Sequence, residues 1–174
     1  MKYILLLLIV LNFSHAKYCK HTSKILRCVE FVKNYDGDTI TVNIPNTHAI
    51  IGEEMPIRVL GLDTPEIRGK TTCEKEAAII ARDYVRYRIA KSNTGDIELR
   101  NISRGKYFRI VAEIWVNGRN LTNALLNMGL AYSYNGGTKE KVDWCKRLDV
   151  DLPDDMDKVL EEFNKKILSK KKKK

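Results

Sequence analysis

Apolar and polar residues alternate through two neighbouring stretches early in the chain. Ile25 to Lys33 sets Val29, Phe31 and Val32 among polar residues, and Thr39 to Ile44 resumes with Ile40, Val42 and Ile44. A period of two marks a strand with one buried face. Asn34-Tyr35-Asp36-Gly37-Asp38 between them has turn chemistry, so a hairpin with Asp-Gly-Asp at its tip is expected. A third strand is expected from about Pro56 to Leu62, where proline is tolerated at the first position. The period then lengthens. Ala77, Ile80, Ala81, Tyr84 and Val85 recur at helical spacing behind Thr71 and Glu74, which form a capping box. Asn93-Thr94-Gly95 ends that unit. Asp96 to Ile102 and Tyr107 to Val116 read as two further strands, joined by a turn at Ser103-Arg104-Gly105-Lys106 and closed by Asn117-Gly118. Leu121 to Met128 reads as a short helix stopped by Gly129, and Asp154 to Leu168 as a terminal helix. Five short strands with a helix inserted after the third predict an α+β chain: a small closed Greek-key barrel with about three helices.

Both ends depart from this pattern. Tyr3 to Phe13 is apolar except for Asn12, with Lys2 before it and Ser14-His15-Ala16 after it. That is the layout of a cleavable secretory signal over residues 1–16, with a mature start at Lys17. A buried N-terminal helix or strand is the competing reading, and the abrupt change to polar residues at Lys17 weighs against it. Ala-Lys-Tyr before Cys19 is not the small-residue box that lipidation needs. Lys170 to Lys174 are five consecutive lysines, a self-repelling block expected to be a disordered tail. Residues 17–169 between them are long enough for one domain and contain no internal repeat.

Composition adds two constraints. With 44% hydrophobic and 30% charged residues in 174, the chain is globular. No apolar run approaches the roughly 18 residues of a membrane-spanning helix. The net charge of +9 points toward a polyanionic partner, but Lys2 and the five terminal lysines carry six of those charges, leaving +3 on residues 17–169. Export would place Cys19, Cys28, Cys73 and Cys145 in an oxidising space, where three complete pairings are available. No Cys-x-x-Cys or His-spaced pair favours a metal site instead.

Three separated segments carry the chemistry: Asp36-Gly37-Asp38-Thr39, Arg58 through Asp63-Thr64-Pro65-Glu66, and Lys106-Tyr107-Phe108-Arg109. Asp-Gly-Asp alone is ordinary turn material. An arginine inside Ile57-Val59-Leu60-Leu62 is a poor choice for a strand that only builds a core, because burying an unpaired guanidinium costs several kcal/mol, roughly. Arg58 and Asp63 would face opposite sides of a regular strand, so for both to meet one substrate the strand must bulge or end between them, and Gly61 is the natural place. Together the segments suit phosphodiester cleavage. Asp38 and Asp63 can hold a hard cation, Glu66 can orient or deprotonate a water, and Arg58 and Arg109 can clamp phosphoryl oxygens.

On these motifs, and on Asn123-Ala-Leu-Leu-Asn-Met-Gly-Leu-Ala131, the chain resembles the staphylococcal nuclease (thermonuclease) family over about residues 25 to 135. The resemblance implies a five-stranded oligonucleotide/oligosaccharide-binding (OB) barrel and Ca²⁺-dependent hydrolysis of DNA and RNA with 3′-phosphate products. It implies Ca²⁺ held by Asp38, Asp63 and the backbone carbonyl of Thr64, Glu66 acting on the attacking water, and Arg58 and Arg109 on the phosphate. Asp36 and Thr39 would support the metal ligands from behind. Lys106, Tyr107, Tyr132 and Tyr134 would contact nucleic acid, with a tyrosine after the short helix stacking on a base. Phe108 stands where the family usually has glycine. Thr72-Cys73-Glu-Lys-Glu, Tyr134-Asn-Gly-Gly-Thr-Lys and Trp144-Cys145 look like an exported bacterial subgroup, which implies a Cys73–Cys145 bridge and leaves Cys19 with Cys28. The expectation is a secreted or periplasmic monomeric nuclease. The alternatives are a non-catalytic nucleic-acid-binding module on the same barrel, and a basic envelope protein whose tail binds anionic lipid or cell-wall polymer.

Overall fold

Strand alternation is obeyed residue by residue in the second strand of the expected hairpin, whereas the first carries a register shift between Phe31 and Lys33. Ile40 and Val42 are fully buried, while Thr39, Thr41 and Asn43 on the other face are only partly covered. The computed structural model describes residues 19–93, 96–105 and 109–171. The expected signal segment, Lys106, Tyr107, Phe108 and residues 172–174 lie outside them.

In chain order the elements are β1 (Ile25–Leu26), β2 (Glu30–Asn34), β3 (Thr39–Asn43), α1 (Ala49–Gly52), β4 (Met55–Val59), β5 (Leu62–Asp63) and α2 (Thr72–Ala90). They continue with β6 (Ile97–Arg104), β7 (Ile110–Val116), β8 (Arg119–Asn120), α3 (Leu121–Asn127), β9 (Tyr132–Ser133), α4 (Trp144–Arg147) and α5 (Met156–Lys171). The main sheet has seven strands in the order β1-β6-β7-β4-β3-β2, with β8 attached to β7, and β5 pairs separately with β9. The β4–β7 pair is parallel, Ile57 opposite Ile110 and Arg58 opposite Val111. Its two strands are joined through α2 and β6, the kind of long crossover a parallel pair needs.

This ladder differs from the closed five-stranded barrel that was expected. Cys28 adopts a left-handed φ of 53°, which splits the first predicted strand. β1 pairs with β6 and β2 with β3, so the two edges of the sheet are separated in the chain only by Arg27-Cys28-Val29. Val29 N–H reaches Ile97 O at 3.1 Å, but no ladder between β1 and β2 closes the sheet among the described residues. The third predicted strand is likewise split, into β4 and β5, at Gly61, whose φ is 86°. The short helices α1 and α4 were not expected.

The capping signal holds with one change of partner. Thr71 Oγ1 accepts from Glu74 N–H at 3.1 Å, whereas Glu74 Oε2 accepts from Lys70 N–H at 2.9 Å, one residue before the cap. From there Ala78, Ala81, Val85 and Ile89 turn one buried stripe of α2 inward. The main core joins that stripe to Val29, Ile40, Val42, Ile57, Val59, Leu62, Leu99 and Ile114 from the strands. Each such aliphatic side chain contributes about 1.5–3 kcal/mol by leaving water. A separate small cluster of Ala77, Tyr132 and Trp144 lies outside this core. Cys73–Cys145 and Cys19–Cys28 are both at bonding distance, S–S 2.06 and 1.89 Å. α5 continues two residues into the lysine run that had been assigned wholly to a tail. Lysine is a good helix former, and positive charge is favourable at a helix C-terminus. Among the described residues no helix is long and apolar enough to cross a membrane.

Candidate active site

The hairpin tip brings its carboxylates inward through a tight backbone. Asp36 Oδ1 accepts from Thr39 N–H at 2.9 Å and from Asp38 N–H at 3.3 Å, which closes the turn. A Cβ on Gly37 would lie 2.9 Å from Ala81 Cβ and 3.0 Å from Thr64 Cγ2. Only glycine lets the turn sit this close to α2 and to the second segment. Asn34, buried, secures the same turn: its Nδ2 donates to Asp36 O at 2.9 Å and to Arg82 O at 3.0 Å. Its Oδ1 accepts from Arg86 Nε at 2.8 Å.

The second segment meets the first because β4 stops short of its own loop. β3 and β4 pair with Thr39 opposite Arg58, and Val59 N–H donates to Asp38 O at 2.8 Å. Gly61 then reverses the chain, and Asp63 arrives on the same side as Arg58, as the spacing required. The Arg58 guanidinium bridges both carboxylates, Nη1 on Asp38 Oδ1 and Nη2 on Asp63 Oδ1. Asp38 also accepts from Thr39 Oγ1 at 3.0 Å and, through Oδ2, from Thr64 N–H at 3.3 Å. Asp38, Asp63 and Thr64 are each only 2% exposed.

Two further groups reach Asp63 from the far end of the chain. β5 and β9 pair with Asp63 opposite Tyr132, and Tyr132 Oη donates to Asp63 Oδ2 at 2.6 Å. Lys139 Nζ lies 3.0 Å from the same oxygen and 2.9 Å from Glu66 Oε1. The Tyr132 ring is 7% exposed and packs against Trp144 with centroids 6.4 Å apart, because the β5–β9 register turns it inward. Tyr134 is partly exposed and donates from Oη to Gly137 O at 2.9 Å.

Arg109 immediately precedes β7, two residues before Val111, which pairs with Arg58. Its Nε is buried without a hydrogen-bond partner among the described residues. An orphaned guanidinium N–H is costly unless a ligand completes it.

The electrostatics divide the carboxylates. Burial, with the charge of Asp36, pushes Asp38 up from 3.8 to about 6, and Arg58 only partly opposes this. Burial also raises Asp36, against the pull of its two backbone N–H donors. Burial acts upward on Asp63 too, but Tyr132, Arg58 and Lys139 outweigh it and hold the group below its ordinary range. Burial disfavours the Lys139 ammonium, and Glu66 and Asp63 overcome that and raise it.

A hard cation would suit this donor set. Its protein donors are oxygens, and Thr64 Oγ1 is buried without a partner among the described residues. Among the described residues no three Asp, Glu, His or Cys side chains converge as a metal cage. Two carboxylates with a carbonyl or hydroxyl oxygen suit an ion that keeps several of its waters. Of the residues singled out from sequence, Asp36, Asp38, Thr39, Arg58, Asp63, Thr64 and Glu66 come together here. Lys139, Asn34 and Arg86 were missed.

Buried oxygen donors beside the Arg58 guanidinium, at the end of a mixed sheet in an α+β domain, form a class of site suited to a phosphate-bearing ligand. Residues 56–149 match the family of staphylococcal nuclease homologues, and the chain belongs to that family. It is 30% identical over 128 residues to endonuclease YncB of Bacillus subtilis (strain 168), covering 70% of this chain and 56% of that protein. It is 31% identical over 110 residues to the SPbeta prophage-derived endonuclease YokF of the same strain, covering 60% of this chain and 34% of that protein. The chain therefore spans about half of one of these relatives and a third of the other.

Proposed function

We propose that the protein is an exported nuclease that hydrolyses phosphodiester bonds of DNA and RNA with Ca²⁺ and leaves 3′-phosphate ends. One observation carries the reading: a turn at Gly61 and the β3–β4 register bring Asp38, Arg58 and Asp63 into one buried contact from distant parts of the chain. Family membership and the endonuclease names of the two relatives support it. The two cysteine pairs at bonding distance support export.

When bound, Ca²⁺ would draw charge from a phosphate oxygen and offset the repulsion between Asp38 and Asp63. The chain's own groups do the rest. Glu66 accepts a proton from the attacking water as its oxygen bonds to phosphorus. The bond from phosphorus to the 5′ oxygen breaks, and that oxygen takes a proton from solvent, leaving a 3′-phosphate and a 5′-hydroxyl. Arg58 and Arg109 each direct N–H groups at the non-bridging oxygens, where negative charge grows. Partly exposed Tyr134 is available to the strand at the rim.

Arg58→Ala and Glu66→Gln test these roles. Each is expected to lower turnover at least about a hundredfold while the variant still binds single-stranded DNA. Wild-type rates in either variant would reject its role. Binding by the unmodified chain without cleavage in Ca²⁺ would favour the non-catalytic module.

A further inference from the structure

The segment Tyr134-Asn-Gly-Gly-Thr-Lys is left without a task by the chemistry above, yet it delivers an ammonium into the site. We propose that Lys139 is the resident counter-ion of the Asp63–Glu66 pair, and that a divalent cation loads the site by taking its place. The proposal rests on the nuclease reading for the identity of the ion site.

Lys139 spans the two groups, 3.0 Å from Asp63 Oδ2 and 2.9 Å from Glu66 Oε1. Asp63 holds three donors: Arg58 on one oxygen, Tyr132 and Lys139 on the other. A cation approaching it must displace one of them. Arg58 is held in the β3–β4 register, bridges two carboxylates and reaches Leu62 O at 3.4 Å. Tyr132 is locked by its ring. Lys139 also bridges two carboxylates, but it lies outside the sheet and the helices and its side chain is 48% exposed. Its loop is anchored beside the site, since Tyr134 N–H donates to Gly61 O at 3.1 Å, so the ammonium leaves without leaving the neighbourhood. Once displaced, it stands at the rim as one more positive charge for a polyanionic strand. A divalent ion and an ammonium sharing Asp63 would repel strongly at this distance, which makes the two occupants alternatives.

Calorimetric titration of CaCl₂ into the oxidised mature chain and its Lys139→Gln and Lys139→Arg variants tests this, with circular dichroism confirming that each is folded. Lys139→Gln is expected to bind Ca²⁺ about tenfold more tightly. Lys139→Arg, which keeps the charge, should stay within about threefold of wild type. Lys139→Gln should also bind a single-stranded oligonucleotide with a log–log salt slope shallower by about 0.7. Equal or weaker Ca²⁺ binding by Lys139→Gln would overturn the exchange and leave the nuclease reading standing. Absence of Ca²⁺ binding in all three folded proteins would overturn both.

Discussion

Replacing Cys73 and Cys145 by serine probes how the site is supported from outside its own residues. The bridge spans a sequence separation of 72, against 9 for Cys19–Cys28. Loop-closure entropy makes these worth about 4.4 and about 2.6 kcal/mol respectively. The longer bridge therefore contributes about 2 kcal/mol more, a sizeable part of the roughly 5–15 kcal/mol that holds a domain folded. It also ties α4 to the first turn of α2, and α4 carries Trp144. That indole closes the small cluster with Ala77 and Tyr132, and Tyr132 Oη holds Asp63 at 2.6 Å. A hydrogen bond to a charged group is worth about 1.5–3 kcal/mol, so loosening Tyr132 should weaken Ca²⁺ binding by about tenfold or more. Urea unfolding followed by circular dichroism, on each double-serine protein, reads the first effect. Calcium titration of the folded variants reads the second. A Cys73/Cys145 variant as stable as the Cys19/Cys28 variant would refute the loop argument. Undiminished Ca²⁺ affinity would refute the link through Trp144 and Tyr132.

Gly37→Ala forces a methyl group to within 2.9 Å of Ala81 Cβ. A stability loss of about 1–3 kcal/mol in thermal melts is expected, with weaker Ca²⁺ binding; an unchanged melting temperature would show that the turn has room. Asp38, raised from 3.8 to about 6, binds a proton in the folded chain that the unfolded chain has already lost between those values. Wild-type stability in chelator should therefore fall as pH rises from about 4 to about 6 and stay low above that. Asp38→Asn should escape this share of the pH dependence, so its stability should fall less than that of wild type from about pH 4 to about 6, while cleavage is lost. Urea unfolding from pH 4 to 8 that found the same fall in the variant would contradict the burial argument. Arg109→Lys keeps the charge but loses the planar fork. It should lower kcat about a hundredfold with KM changed only a few-fold, and near-wild-type kcat would show that the fork is not used.

What was legible in the sequence depended on how local its cause was. The hairpin, α2 and α3 carried their own period, caps and stops. Asp38, Arg58, Asp63 and Glu66 were legible because an arginine in an apolar strand is costly without an acidic partner, and a glycine three residues later supplies the turn that brings one. The break between β1 and β2 was not, because it turns on one residue, Cys28, adopting a left-handed φ of 53°. Lys139 lies 73 residues from Glu66 and meets it only after β5 and β9 have paired. Asn34 passed as ordinary turn material until Arg86, 52 residues on, was folded against it. The inward turn of Tyr132 is a matter of register, which a two-residue strand such as β9 does not specify by pattern.

The proposed catalysis comes down to Asp38, Asp63, Glu66, Arg58 and Arg109 together cutting phosphodiester bonds with the help of a hard cation. The decisive experiment follows a 5′-labelled DNA strand incubated with the oxidised mature chain in Ca²⁺, and again in excess chelator. Shortened fragments ending in 3′-phosphate are expected in Ca²⁺, and an intact strand in chelator. An intact strand in Ca²⁺ from pH 7 to 10, or equal cleavage in chelator, would overturn the assignment.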